Sequence, residues 1–92
     1  MHTPLSDIEI HRALSGLPGW SRRGNELQKT YEFRTFADAT SFVARIGSIA
    51  DGLDHHPDID IRYTKVTLHL STHSAGGVTK MDVELAQAIA AP

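Results

Sequence analysis

Asp54–His73 reads DHHPDIDIRYTKVTLHLSTH, and this stretch decides the fold. It contains two extended runs, Ile59–Tyr63 and Val66–Thr72, joined through Thr64-Lys65. In the second run Val66, Leu68 and Leu70 point one way, while Thr67, His69, Ser71 and His73 point the other. That period of two marks a strand with one buried face. So short a connection favours antiparallel pairing, because a parallel crossover needs about a dozen residues or more. An antiparallel hairpin also brings its outer ends together. The segment before Ile59 then lies beside the segment after Thr72.

Upstream, Thr35-Phe36-Ala37-Asp38 is a helix-capping signature. Phe42, Val43, Ile46, Ile49, Ala50 and Leu53 then follow the 3.6-residue period of a helix packed on one face, expected to run to about Asp51 and to end at Gly52. Before it, Leu27, Lys29, Tyr31 and Phe33 alternate with Gln28, Thr30 and Glu32, which predicts a strand. A short extended segment at Trp20-Ser21-Arg22 precedes that strand, with a hairpin turn at Arg23-Gly24-Asn25-Glu26. Ser6-Asp7-Ile8-Glu9 reads as a capping box with Leu5 and Ile10 as its staple, opening a helix to about Ser15. Downstream, Gly76-Gly77 marks a turn. Thr79-Lys80-Met81-Asp82 caps a last helix, about Lys80 to Ala90, with Val78 and Val83 as staple. The expected fold is α+β: a four-stranded antiparallel sheet with three helices packed on one face. The strand–helix–strand order in the middle still permits one parallel or split pair.

Length and composition narrow the function. Ninety-two residues suit one domain, 1–92. A core this small covers only about 60–65% of the unfolded surface, so self-association would help it. With 40% hydrophobic and 22% charged residues the chain reads as globular and not disordered. No apolar run approaches the ~18 residues of a membrane span. Met1 to Asp7 has neither a basic nor an apolar leader region, so the expected location is the cytoplasm. The lack of cysteine removes thiol catalysis and Cys-ligated metals. A net charge of -2 argues against a nucleic-acid surface. Six histidines stand out, and three of them carry the chemistry.

Pro57 disfavours helical backbone at His56, so the His55-His56 pair is held extended and its two rings diverge. One ring is expected to face a pocket while the other packs or braces. His73 follows His56 by 17 residues, and the hairpin brings it beside His55 or His56. Imidazoles, with intrinsic pKa near ~6.5, give or take protons at physiological pH. Two of them across a substrate suit an acid–base elimination or a tautomerisation. Two other readings stand beside this one. The His pair is structural, or three imidazoles with Asp54 or Asp58 hold zinc or iron. Against metal, no His-x-His or His-x-x-x-His frames the pair. Asp82, at the third helical position after Thr79, is assigned to capping. His69 reads as an ordinary polar-face residue or a subunit contact, His2 and His11 as exposed, Trp20 as core or pocket wall, and Arg22-Arg23 as a solvated turn. Gly76-Gly77 lacks the spacing and the lysine of a phosphate loop.

Asp54-His55-His56-Pro57, Tyr63-Thr64-Lys65-Val66, Leu70-Ser71-Thr72-His73 and Asp82 together resemble the signature of the pterin-4a-carbinolamine dehydratases, also called 4a-hydroxytetrahydrobiopterin dehydratases. Gly19-Trp20, Phe36, Phe42 and Thr79 to Ile89 extend the resemblance across most of the chain. It implies the same α+β fold and dehydration of a 4a-hydroxytetrahydropterin to the quinonoid dihydropterin, with no metal and no organic cofactor. It implies His55, His56 and His73 as catalytic residues, with His55 and His73 the acid–base pair and His56 mainly orienting the pterin. Substrate binding falls to Asp54, His55, His56, Pro57, Ser71, Thr72, His73 and Ser74. Animal relatives carry a glutamate where this chain has Ser74, and some carry a tryptophan where it has Ile59. The implied partners are a pterin substrate, an aromatic amino-acid hydroxylase in the same pathway, and further copies of the chain in a homodimer or homotetramer. The alternative is a non-catalytic binding module, since animal relatives also serve as dimerisation cofactors for a transcription factor.

Overall fold

The computed structural model describes residues 3–91, so His2, read above as exposed, lies outside the described residues. The chain runs α1 (Asp7–Leu14), β1 (Ser21–Arg23), β2 (Glu26–Glu32), α2 (Phe36–Leu53), β3 (Asp58–Arg62), β4 (Lys65–Leu70), a 3-10 turn (His73–Ala75) and α3 (Lys80–Ala90). The four strands form one sheet in the order β1-β2-β4-β3. Every pairing is antiparallel, and β2 and β3 run in the same direction with β4 between them, which is the split arrangement the order permitted. The last strand in sequence is a central one. It sits between β2, where Leu27 faces Leu70, and β3, where Asp58 faces His69.

The alternation in β2 and β4 decides what the sheet buries. Leu27, Val66, Leu68 and Leu70 are fully shielded and pack against Ile10 of α1, Ala39 and Ile46 of α2, and Leu85, Ala86 and Ile89 of α3. The opposite face is polar, with Thr30 and Thr67 sharing a hydroxyl contact at 2.9 Å. His69 on that face meets Glu26 at 2.9 Å. Trp20 belongs to the core, and His11 is exposed.

Local chemistry sets the element ends. Ser6 and Glu9 make the reciprocal capping box of α1. Thr35 caps α2 by accepting from the Asp38 N–H. In the β1–β2 hairpin Arg23 pairs with Glu26, leaving Gly24-Asn25 as the loop. Gly24 leads that loop at φ 58°, the position where a two-residue hairpin turn asks for glycine.

Several boundaries lie a residue or two from the sequence expectation, and two of these differences shape the site. Helix α2 does not stop at Gly52; it continues through Leu53 and closes on Asp54 at φ 51°, ψ 41°. The Asp54 N–H donates to Asp51 O and the His55 N–H to Ala50 O, the paired bonds of a Schellman ending. The reason is packing: Leu53 continues the apolar stripe into the core, which keeps Gly52 helical. Strand β4 ends at Leu70, two residues before the expected Thr72. Thr72 makes a lone bridge with Gly77, and its carbonyl accepts the N–H groups of Ala75 and Gly76. His73 therefore sits in a tight 3-10 turn and does not extend the polar face of β4.

Leu68, at the centre of β4 and 0% exposed, should respond as a core residue. Leu68→Ala is expected to cost about 2–5 kcal/mol, read as a lower urea midpoint with the slope of the transition unchanged.

Candidate active site

A hollow of about 390 Å³ opens where β3 begins and β4 ends, lined by Asp54, His55, His56, Asp58, Ser71, Thr72, His73 and Ser74. Two segments build it. The αL residue Asp54 turns the chain out of α2, and Pro57 leads it into β3, so Asp54 to Asp58 forms one wall. The run from Ser71 to Ser74, bent by the 3-10 turn, forms the other. Antiparallel pairing of β3 with β4 in the register Asp58 to His69 brings the two walls together.

Each histidine stands in different surroundings. The His55 side chain is 13% exposed, and its Nε2 lies 2.5 Å from Oδ1 of Asp82. His56 is open to solvent, with Nε2 2.8 Å from Oδ1 of Asp51, one helical turn back in α2. The two neighbouring rings thus diverge, each tied to its own carboxylate. His73 is exposed at the first position of the 3-10 turn. Among the described residues, no group of three or more His, Cys, Asp or Glu side chains is arranged to hold a metal ion.

Asp82 is the residue whose role sequence reading left half described. It completes the α3 capping box, accepting the Thr79 N–H at 2.9 Å on Oδ2. It is also 0% exposed and holds His55. A single helix-capping position serves both tasks because α3 starts directly behind the hollow. The period of α3 gave no sign of this, since capping alone accounts for an aspartate there. Asp51 was not singled out for the site, and Asp58 only as a carboxylate in the metal reading. The spacing of Asp51 and His56 across a helix end was the available signal for the first.

The residues expected to bind substrate are not equally placed to do so. Asp54, Ser71 and Ser74 line the hollow, whereas Pro57 is half-buried and absent from the lining. The Thr72 hydroxyl turns inward, donating to Oδ2 of Asp82 at 2.8 Å and lying 2.7 Å from the Thr79 hydroxyl.

A larger hollow, about 530 Å³, lies between β2, α2 and the end of α3. Its cations are committed to backbone carbonyls: Lys29 to Pro18, and Arg45 to Ile89 and Ala91. It contains no imidazole or carboxylate side chain, and therefore no pair suited to proton transfer near neutrality. The smaller hollow has the chemistry.

Residues 3–91 match the family described as "Pterin 4 alpha carbinolamine dehydratase". A protein of Roseiflexus sp. (strain RS-1), named "Putative pterin-4-alpha-carbinolamine dehydratase", is 51% identical over 89 residues, covering 97% of this chain and 96% of that one. The crystal structure of a "transcriptional coactivator/pterin dehydratase" from Brucella melitensis superposes with a TM-score of 0.90 at 32% identity, covering 95% of each chain. A second structure, titled as a pterin dehydratase-like protein acting as a RuBisCO assembly factor in the alpha-carboxysome, shares the fold alone, at TM-score 0.56 and 19% identity over 77% of this chain and 86% of that one. The sheet, the three helices and the sequence match agree: the chain belongs to the pterin 4 alpha carbinolamine dehydratase family. Among the described residues no helix is long and apolar enough to cross a membrane.

Two measurements test this local architecture. Asp82→Asn puts an amide among three donors, and at least one buried polar contact is lost. It should cost about 1–3 kcal/mol in urea unfolding. Beside the hollow, the bond from His69, joined by one from Gln28, holds the Glu26 carboxyl below the ordinary value of 4.5. A depressed carboxyl stabilises the fold above its unfolded value and loses that contribution as pH falls through the folded one. The stability difference between wild type and Glu26→Gln should therefore be larger at pH 7 than at pH 3.

Proposed function

We propose that the hollow binds a 4a-hydroxytetrahydropterin and eliminates water from it, giving the quinonoid dihydropterin. The observation that carries this reading is the convergence of His55, His56 and His73 on one hollow of about 390 Å³, a size typical of small-molecule sites. Membership of the family supports the same substrate class.

The reaction needs two proton transfers and no change of oxidation state. Hydroxide leaves C4a poorly, so an acid must protonate that oxygen as the C4a–O bond breaks. The N5–H electrons form the C4a=N5 bond, and a base takes the N5 proton. His55 and His73, on opposite walls of the hollow, are the acid–base pair in this reading. His56 orients the ring system while Asp51 holds its imidazole. Asp54 and Asp58 supply acceptors for the pterin's amino and ring N–H groups. Buried Asp82 orients His55. The same reading places the chain in pterin recycling in the cytoplasm, after an aromatic amino-acid hydroxylase, as a homodimer or homotetramer.

A second reading, a non-catalytic binding module, draws on one surface feature and one relative. Phe36 and Tyr63 stack in the open, with ring centroids 6.4 Å apart, and Ile61 is exposed as well. The Brucella protein is described as a coactivator as well as a dehydratase. A stoichiometric protein partner combined with no turnover would favour this reading.

Stopped-flow ultraviolet spectroscopy on chemically generated 4a-hydroxytetrahydropterin separates the two. Wild type should accelerate water loss. His55→Ala and His73→Ala should each lose about 10²–10⁴-fold while circular dichroism stays unchanged. Activity that survives both changes defeats the assignment of roles, and no acceleration by wild type defeats the enzyme reading.

A further inference from the structure

The Asp82 carboxylate has two oxygens with separate duties. Oδ2 accepts the Thr79 N–H at 2.9 Å and the Thr72 hydroxyl at 2.8 Å. Oδ1 meets His55 Nε2 at 2.5 Å. A hydroxyl carries one proton, and that of Thr72 goes to Asp82. The 2.7 Å contact between the two threonine hydroxyls is then donated by Thr79. Thr79 in turn accepts the Met81 N–H at 3.2 Å. The chain of donation therefore runs from Thr79 through Thr72 to Asp82 and ends on the carboxylate.

A carboxylate is acceptor-only, so its contact with His55 requires the proton on Nε2. In neutral imidazole the other nitrogen, Nδ1, then holds the lone pair. We propose that Thr72 is a positioning residue: with the Thr79 N–H it fills Oδ2 of Asp82, reserves Oδ1 for His55 Nε2–H, and so leaves His55 Nδ1 as the proton acceptor of the site. Thr72 has little left to offer a ligand. It is 5% exposed, its N–H donates to Gly77 O, and its carbonyl accepts from Ala75 and Gly76. Its hydroxyl also links the segment bearing His73 to the carboxylate bearing His55, so the two walls of the hollow are set by one network.

The catalytic part of this inference rests on the dehydratase reading and completes its proton balance. The N5 proton goes to Nδ1 of His55. The C4a oxygen receives its proton from His73, and water leaves. The tautomer itself needs no substrate, so it can be measured whether or not that reading holds.

Long-range ¹H–¹⁵N correlation spectra of wild type, taken at a pH where the ¹⁵N shifts themselves report a neutral ring, should show His55 as the Nε2–H tautomer. An Nδ1–H tautomer there overturns the proposal. Thr72→Val replaces the hydroxyl by a methyl of similar size, and should give a mixture of tautomers. With the pterin substrate its kcat should fall about 10- to 100-fold while KM stays within about twofold. Thr72→Ser should restore both the single tautomer and kcat. A single Nε2–H tautomer in Thr72→Val, or a loss confined to KM, would instead make Thr72 structural or a substrate contact. If Thr72→Val does not fold, Thr72→Ala is read against the same outcomes. Absence of turnover in wild type with the expected tautomers would remove the dehydratase reading and the role of base, and leave the positioning of His55 intact.

Discussion

One buried carboxylate holds the site together. Asp82 is fully enclosed, and an enclosed carboxylate is costly unless its oxygens are matched by donors. Here three donors match it, each from a different part of the chain: the start of α3 (Thr79), the segment after β4 (Thr72) and the segment after α2 (His55). Satisfying that one group fixes where α3 begins, how the chain bends after β4, and which way the first histidine of the pair turns. Such an arrangement is cooperative, because each donor is oriented by the others around a common acceptor.

The fold makes this possible through its strand order. Placing β4 between β2 and β3 puts the most apolar strand at the centre, where Val66, Leu68 and Leu70 lie under the helices. It also ends β4 next to the beginning of β3, at the rim of the sheet. Backbone at a rim has no ladder to join, so it is free to turn. Asp54 in the left-handed conformation and the 3-10 turn at His73 use that freedom. The hollow thus lies at the end of the sheet, beside the helical layer, and not on the open polar face where His69 and Thr67 stand.

The comparisons separate what a fold shares from what a site does. The family match and the Brucella structure cover almost the whole chain. The assembly factor shows that the same fold occurs in a protein described by a different task. Function is carried by side chains set on a fold, not by the fold itself. The proposed acid–base reading therefore rests on three imidazoles gathered at one hollow, two of them tied to carboxylates, and not on the fold.

Most of the fold was legible in the sequence. Periods of two and of 3.6 located the strands and helices, and the capping boxes at Ser6 and Thr79 marked two helix starts to the residue. The short connection between β3 and β4 also implied that the regions around His55 and His73 would meet. The misplaced ends of α2 and β4 had a common cause. A local pattern registers where glycine or alternation occurs, but Leu53 and Thr72 were drawn inward by groups distant in sequence. By itself the sequence determined which residues form each element, which face each buries, and that histidines gather at one end of the sheet, because those follow from neighbours along the chain. Only the tertiary structure decided that Asp82 both caps α3 and holds His55, and that the Thr72 hydroxyl is given to that carboxylate. Those contacts join residues 10 and 27 positions apart, and a buried charge takes its partners from whatever the packing brings within reach.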